Sequence, residues 1–278
     1  MSTLNGPFTG GPTLNDGATM PWLGIGVWQT KDGDEVVHAV KSALEVGYRS
    51  IDTAAAYKNE EGVGRGIRES GVSREELFIT TKLWNGHQGY ESALQAFEDS
   101  RRKLGLEVID LYLIHWPVAG KYRESWKALI HLQKEGLVKS IGVSNFQIHH
   151  LKDIIEDTGV VPAVNQVEFH PLLTQRELLK YSREQGIQLE AWSPLMQGNL
   201  DLPLIQELAA KYGKTPAQIV LRWDIQQGVI TIPKSVHANR IQENAGIFDF
   251  TLSDEDVKAL EDLNQDSRFG PDPDNFNF

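Results

Sequence analysis

The chain has no cysteine. That absence rules out disulfides, thiolate metal sites and a cysteine nucleophile, and it suits a reducing compartment. Long apolar runs are missing too. The stretch from Val108 to Trp116 is interrupted by Asp110 and His115, far short of the roughly 20 apolar residues a membrane helix needs. Positive charge is scarce: 27 Lys and Arg stand against 38 Asp and Glu, a formal net charge of -11. Such a field repels nucleic acid and anionic membrane, so binding a polyanion would require a local basic patch. The opening MSTLNGPFTGG carries neither the basic nor the apolar region of a secretory signal. The expectation is a cytoplasmic monomer that works on a small molecule, with no nucleic-acid or membrane partner.

What is present is a regular alternation. Thr13 to Thr19 holds an Asp16-Gly17 pair between short extended runs, the signal of a tight hairpin. Eight apolar runs then read as strands: Trp22 to Val27, Tyr48 to Asp52, Leu77 to Lys82, Val108 to Ile114, Val138 to Val143, Pro162 to Gln166, Ile187 to Trp192 and Val229 to Ile232. Between them the apolar spacing turns helical, as at Val36, Val40 and Leu44. Thr174 with Glu177, and Thr215-Pro216 with Gln218, read as capping boxes. Gly47, Gly105, Gly136, Gly159, Gly186 and Gly228 each stand between a helical pattern and the next strand, where a left-handed cap residue belongs.

Strands buried on both faces and each followed by a helix imply a parallel sheet. The 278 residues are close to the roughly 250 of a barrel with eight such units. The expected fold is therefore α/β: one (β/α)8 TIM barrel over residues 1–278, with an N-terminal β-hairpin and a short C-terminal loop over the barrel mouth. An open doubly wound sheet is the alternative. The last stretch, Asp266 to Phe278, ends with Phe276 and Phe278 and reads either as a frayed tail or as that loop, bringing aromatic wall to a pocket.

Barrel active sites form where the strands end. Here those ends carry Asp52 with Tyr57 soon after, Lys82, His115, Ser144-Asn145, Asn165-Gln166, Trp192-Ser193 and Lys234-Ser235. A tyrosine with a free pKa of about 10 exchanges protons poorly near neutrality. An ammonium about 4 Å away, at an effective dielectric near 20, favours the phenolate by roughly 4 kcal/mol, so Lys82 is expected to lower the pKa of Tyr57. Asp52 would keep Lys82 charged, and His115 would polarise a substrate carbonyl. This unit moves protons but holds no electrons, so a reduction would need a bound hydride donor. Gly62-Val63-Gly64-Arg65-Gly66 lies in a helical segment and lacks the G-x-G-x-x-G spacing, so helix packing is the better reading. Ile232 to Arg240, with Lys234, Ser235 and Arg240 at a helix start, is the better anion site. His149-His150 and His170 match no metal-ligand spacing, and no metal is expected.

The chain resembles the aldo-keto reductases over nearly its whole length. The resemblance rests on Gly47 to Ala54 followed by Tyr57 and Asn59 to Gly64, on Thr81 to Trp84, Asp110 to Pro117, Ile141 to Phe146, Asn165 to Pro171 and Ile232 to Ser235. It implies a catalytic tetrad of Asp52, Tyr57, Lys82 and His115, with Tyr57 as general acid. It implies NADPH (NADP+) as cofactor: Ser144, Asn145 and Gln166 on the carboxamide, Trp192 stacked on the nicotinamide, and Ser193, Leu195 and Gln197 along the pyrophosphate. Lys234, Ser235 and Arg240 would take the 2′-phosphate, and Glu243 and Asn244 the adenine. Gly26, Val27, Trp28, Pro194, Ile232 and Val236 complete the implied cofactor contacts. Trp28, Tyr57, Trp84, His115, Trp116 and Phe276 are the implied walls for a carbonyl substrate. Ser50 stands where many members have His, and the tail is short, like that of bacterial members acting on aldehydes, small dicarbonyls and keto-sugars. Two other readings stay open: Lys82 as a Schiff-base lysine in a barrel lyase, and a barrel that binds a nicotinamide cofactor as a sensor without turnover.

Overall fold

A computed structural model of the chain describes residues 10–278. Eight parallel strands follow in chain order around one sheet: β1 (Gly24–Gly26), β2 (Ser50–Asp52), β3 (Phe78–Leu83), β4 (Ile109–Ile114), β5 (Val138–Ser144), β6 (Val164–Glu168), β7 (Gln188–Trp192) and β8 (Ile230–Thr231). Bridges from Leu23 to Thr231 and from Gly26 to Lys234 join the last strand to the first. The amide of Gly26 donates to the Pro233 carbonyl at 3.2 Å, and that of Thr231 to the Trp22 carbonyl at 3.0 Å. The sheet is thus a closed barrel, and the open-sheet alternative falls. All eight expected strands exist, with shifted bounds. The first and last are short, and β6 starts two residues later than expected and runs on to Glu168.

Among the described residues ten α-helices surround this sheet: α1 (Asp34–Val46), α2 (Glu60–Ser70), α3 (Tyr90–Leu104), α4 (Tyr122–Lys134), α5 (Ile148–Thr158), α6 (Arg176–Gln185), α7 (Pro203–Tyr212), α8 (Pro216–Gln226), α9 (Ala238–Ala245) and α10 (Asp254–Glu261). None is long and apolar enough to cross a membrane. The box at the start of α8 forms as read: the Gln218 amide donates to Thr215 Oγ1 at 3.3 Å, and the Thr215 amide to Gln218 Oε1 at 3.0 Å. The Thr174 box does not form. Its amide donates instead to Asn264 Oδ1 at 3.0 Å, and α6 is preceded by Gln175 in a left-handed conformation. The hairpin is present, with Thr13 bridged antiparallel to Thr19. Gly64 confirms the packing reading of its motif, because a Cβ there would lie 2.2 Å from the Leu104 carbonyl oxygen at the end of α3.

Two apolar layers hold the barrel. The outer one lies between strands and helices and takes Ile51, Ile79, Tyr112, Ile114, Val143, Val167, Leu189 and Ala191. The inner one fills the N-terminal end of the barrel with Phe78, Leu111, Leu113, Val164 and Ile230, closed from below by Leu14 and Met20 of the hairpin segment. Because successive strand residues face opposite ways, the outer set fixes which residues point inward: Ser50 and Asp52, Thr80 and Lys82, Ser144, Gln166, Glu190 and Trp192. The barrel therefore has an apolar floor and a polar ceiling.

Candidate active site

The polar ceiling gathers side chains from strands distant in sequence. Asp52 ends β2, Lys82 lies one residue before the end of β3, and His115 directly follows β4. Tyr57 closes a one-turn 3₁₀ helix, Ala55–Tyr57, that folds back over the mouth. Lys82 Nζ donates to Asp52 Oδ1 at 2.6 Å, to the Thr53 carbonyl at 3.0 Å and to Tyr57 Oη at 3.3 Å. An ammonium has three hydrogens, and these three acceptors use them all. Tyr57 Oη thus accepts from Lys82, and its own O–H is left for a group in the mouth. The His115 ring lies edge-on to Tyr57 with centroids 5.8 Å apart and edge-on to Trp84 at 5.4 Å. Its Nδ1 is buried without a hydrogen-bond partner among the described residues.

Burial shapes the titration of every member. It works against the charge on Lys82, but Asp52 and Tyr57 outweigh it and hold the amine above its ordinary pKa. With its three hydrogens taken by Asp52, Thr53 and Tyr57, Lys82 is tied into the site rather than presented as a Schiff-base nucleophile. Burial raises the Asp52 carboxyl against the pull of Lys82. Burial, reinforced by Lys82, drops His115 well below the ordinary imidazole value, so the ring is neutral. For Tyr57 the expectation reverses in sign. Desolvation raises the phenol, Lys82 lowers it, and the net result lies above the ordinary value. The physical reason is that Asp52 compensates the Lys82 charge and adds its own opposition to the phenolate, while the half-buried Tyr57 loses enough water for desolvation to outweigh Lys82. Tyr57 therefore remains a phenol, which is the form a proton donor needs.

A second network adjoins the first. Ser144 Oγ donates to the Gln166 carbonyl at 2.8 Å, Asn145 Nδ2 to the His115 carbonyl at 3.0 Å, and Trp192 Nε1 to Asn145 Oδ1 at 2.8 Å. Gln166 Nε2 reaches Asp52 Oδ2 at 2.8 Å. Asn145 holds a left-handed φ of 64°, a conformation that costs a non-glycine residue energy and that collects at functional sites. The same strain marks the loop after β7, where Ser193, Met196 and Gln197 have φ of 48°, 51° and 53°. In that loop Pro194 is buried, Leu195 is half-buried and Gln197 is exposed. At the other side of the barrel seam, Gly26 is bridged to Lys234, with buried Val27 and exposed Trp28 following. Beyond buried Ile232, Lys234 is exposed, Ser235 is buried and Val236 is half-buried. Ser235 Oγ accepts the His237 amide at 3.1 Å and turns the chain into α9. There Arg240 and Glu243 are exposed and Asn244 is buried. Glu243 Oε1 accepts from Thr215 Oγ1 at 3.0 Å.

This donor set suits a nicotinamide dinucleotide. Hydroxyl, amide and indole groups converge beside the proton-transfer unit, a strained loop follows, and an exposed Lys and Arg flank a helix start that favours an anion.

The C-terminal segment folds over the mouth. Phe276 packs on Trp116 with centroids 5.2 Å apart. Phe278, named with Phe276 at the tail's end but left out of the implied substrate walls, stacks on Trp84 at 6.0 Å and meets Trp116 edge-on at 5.2 Å. Asn85 Nδ2 donates to the Phe278 main-chain oxygen at 3.0 Å. Further back, buried Glu168 holds the same segment by accepting the amides of Phe269 at 2.6 Å and Gly270 at 3.1 Å. The only sequence signal for Phe278 was its alternation with Phe276. Glu190 was missed as well, although an acidic residue two places before Trp192 on the inward face is detectable once the strand phase is known.

His170 makes a core hydrogen bond to Glu168 at 3.0 Å. His149 and His150 are not isolated. The tail brings Asp274 Oδ1 to 3.0 Å from His149 Nε2 and 3.6 Å from His150 Nε2, so a His-His-Asp cluster exists that sequence spacing could not show. His150 Nδ1 accepts the Gln147 amide at 3.1 Å, which leaves the proton of the neutral ring on Nε2. Burial and His149 push its pKa down to about 4. The trio thus serves as a latch on the tail.

Comparison with known proteins identifies the family. The model of the "Aldo/keto reductase family" matches residues 22–265. The chain is 58% identical over 266 residues to "Glyoxal reductase" of Bacillus subtilis (strain 168), covering 95% of this chain and 96% of that protein. It is 55% identical over 268 residues to "Methylglyoxal reductase DkgA" of Escherichia coli (strain K12), with 95% and 96% covered. Among solved structures it is similar to a point mutant of Gox0644 in complex with NADPH, at a TM-score of 0.92 and 49% identity, with 96% of this chain and 98% of that one covered.

Proposed function

The chain belongs to the aldo/keto reductase family, and from that premise we propose that it reduces small aldehydes and dicarbonyls to alcohols with NADPH. The observation that carries the reading is the saturated ammonium of Lys82, whose third hydrogen goes to Tyr57 Oη at 3.3 Å. Bound NADPH supplies the hydride. Everything else is done by the chain itself. Tyr57, a phenol whose oxygen already accepts from Lys82, gives its proton to the carbonyl oxygen as negative charge develops there. Lys82 then faces the new phenolate and stabilises it, so its charge acts after proton transfer and does not depend on a low resting pKa of Tyr57. Asp52 keeps that ammonium charged in a desolvated site. Neutral His115 orients the carbonyl through a ring N–H. Trp28, Trp84, Trp116, Phe276 and Phe278 line an aromatic mouth that admits small, flat substrates and excludes water.

For the cofactor, Ser144 and Asn145 place a hydroxyl and a side-chain amide, and Gln166 a free carbonyl oxygen, beside a carboxamide, and Trp192 offers an aromatic face. Lys234 and Arg240 supply the charge that selects NADPH over NADH. Dicarbonyl substrates are favoured because the glyoxal and methylglyoxal reductases are more than half identical to this chain.

The test is NADPH oxidation, followed by absorbance, with methylglyoxal as substrate. Tyr57→Phe is expected to lose turnover by roughly 10²-fold or more while its fluorescence is still quenched on binding NADPH. Undiminished turnover in that variant would remove Tyr57 from the mechanism. Tight NADPH binding by the wild type with no carbonyl reduced would favour a cofactor sensor instead.

A further inference from the structure

Glu190 lies on β7, facing into the barrel and fully buried, with no role in the steps above. Its Oε2 is 2.8 Å from Gln166 Nε2, the same nitrogen that reaches Asp52 Oδ2 at 2.8 Å. A side-chain amide carries two hydrogens on nitrogen and an acceptor oxygen. Two carboxyl groups thus take both hydrogens, and only the carbonyl oxygen of Gln166 remains for a ligand. A continuous line of hydrogen bonds runs from Glu190 through Gln166, Asp52 and Lys82 to Tyr57.

We propose that Glu190 is a positioning residue for the reaction, which locks the Gln166 amide so that its carbonyl oxygen receives the N–H of the nicotinamide carboxamide. The inference rests on the NADPH reading given above. Charge balance adds a second consequence. The groups facing Glu190 are Asp52 from β2, Tyr57 from the 3₁₀ turn, Lys82 from β3 and Gln166 from β6, while its register partner on β8 is Ile230. Lys82 is the one cation in that set and already pairs with Asp52. A second buried carboxylate finds no further counter-charge among these groups. Burial first, and Asp52 second, push Glu190 up to about 8, so it is a neutral acid at neutral pH. Its other oxygen, Oε1, is buried with no partner among the described residues. Once ionised, Glu190 adds negative charge that opposes phenolate formation on Tyr57, and the phenol becomes a weaker acid. Reduction should therefore slow as pH rises through the Glu190 titration, before Tyr57 itself deprotonates.

The test compares wild type, Glu190→Gln and Glu190→Leu. NADPH affinity is read from fluorescence quenching, and kcat and KM for methylglyoxal are measured from about pH 6 to about pH 10. Wild type is expected to show a falling limb of kcat near pH 8. Glu190→Leu leaves one Gln166 hydrogen unpaired and frees the amide to rotate. NADPH affinity should drop about tenfold and kcat should fall, with KM for methylglyoxal little changed. Glu190→Gln still offers an acceptor oxygen but cannot ionise, so it should recover most of the lost affinity and lack the limb near pH 8. Wild-type NADPH affinity and kcat in folded Glu190→Leu would overturn the proposal, as would a limb near pH 8 that survives in Glu190→Gln. Should the leucine variant fail to fold, the pH profile of the glutamine variant decides alone. A wild-type protein that shows no NADPH quenching would instead fail the cofactor reading itself.

Discussion

Strand β3 crosses two different regions in six residues. Phe78, near its start, packs into the apolar floor with Leu111, Leu113 and Val164. Lys82, near its end, is fully buried as well, yet it sits among Asp52, Thr53 and Tyr57. Both side chains have left water, for opposite reasons. The floor gains free energy from burial itself, about 25 cal/mol per Å² of apolar surface. The ceiling loses free energy on burial and recovers it only through pairing. The difference teaches that burial alone does not identify a core residue. A buried group that costs stability is held there by something other than its own burial, and the proton-transfer role proposed for this cluster supplies that reason.

The largest effect should come from breaking the pairing. Lys82→Met leaves Asp52 buried without a counter-charge, so denaturant unfolding should show a loss of roughly 3–5 kcal/mol, together with loss of methylglyoxal reduction. Adding Asp52→Asn to that variant should restore much of the stability and none of the activity. If the double variant is as unstable as the single one, pairing is not what holds the ceiling.

A floor substitution should behave in the opposite way. Phe78→Ala removes apolar contacts and leaves a cavity, at a cost of about 3 kcal/mol or somewhat more. Turnover per folded molecule, measured well below the melting temperature, should stay near that of the wild type. A large fall in kcat for the folded variant would show that floor packing sets the geometry of the ceiling.

The smallest effect lies between the two. Thr80 faces inward midway along β3, and its Oγ1 is buried with no partner among the described residues. Thr80→Val keeps the shape and removes an unsatisfied hydroxyl, so unfolding should show a gain of up to about 1 kcal/mol, with activity unchanged. A loss of stability would mean that the hydroxyl has a partner after all, such as a buried water.

Much of the floor and of the fold was legible because apolar runs and helix-ending glycines are local signals. Gly47, Gly105, Gly159 and Gly186 do end helices in the left-handed conformation. Local signals failed where a distant group competed. Thr174 has the right neighbours for a capping box, but Asn264, far along the chain, takes its amide. The pairwise attraction between Lys82 and Tyr57 was also legible, yet the net direction of the Tyr57 shift was not, because desolvation depends on what covers the site. Phe278 was legible as an aromatic tail end, but its place in the site was not, for a similar reason. Its contacts with Trp84 and Trp116 exist only once the tail crosses the mouth.

The order of residue types along the chain determined the eight strands, the parallel sheet and which groups stand at the strand ends, since these follow from periodicity and local caps. Tertiary structure alone decided how much water each of those groups lost, and that Gln166 is shared between Asp52 and Glu190. Desolvation and hydrogen-bond sharing are properties of neighbours brought together in space, and no spacing along the chain encodes them directly.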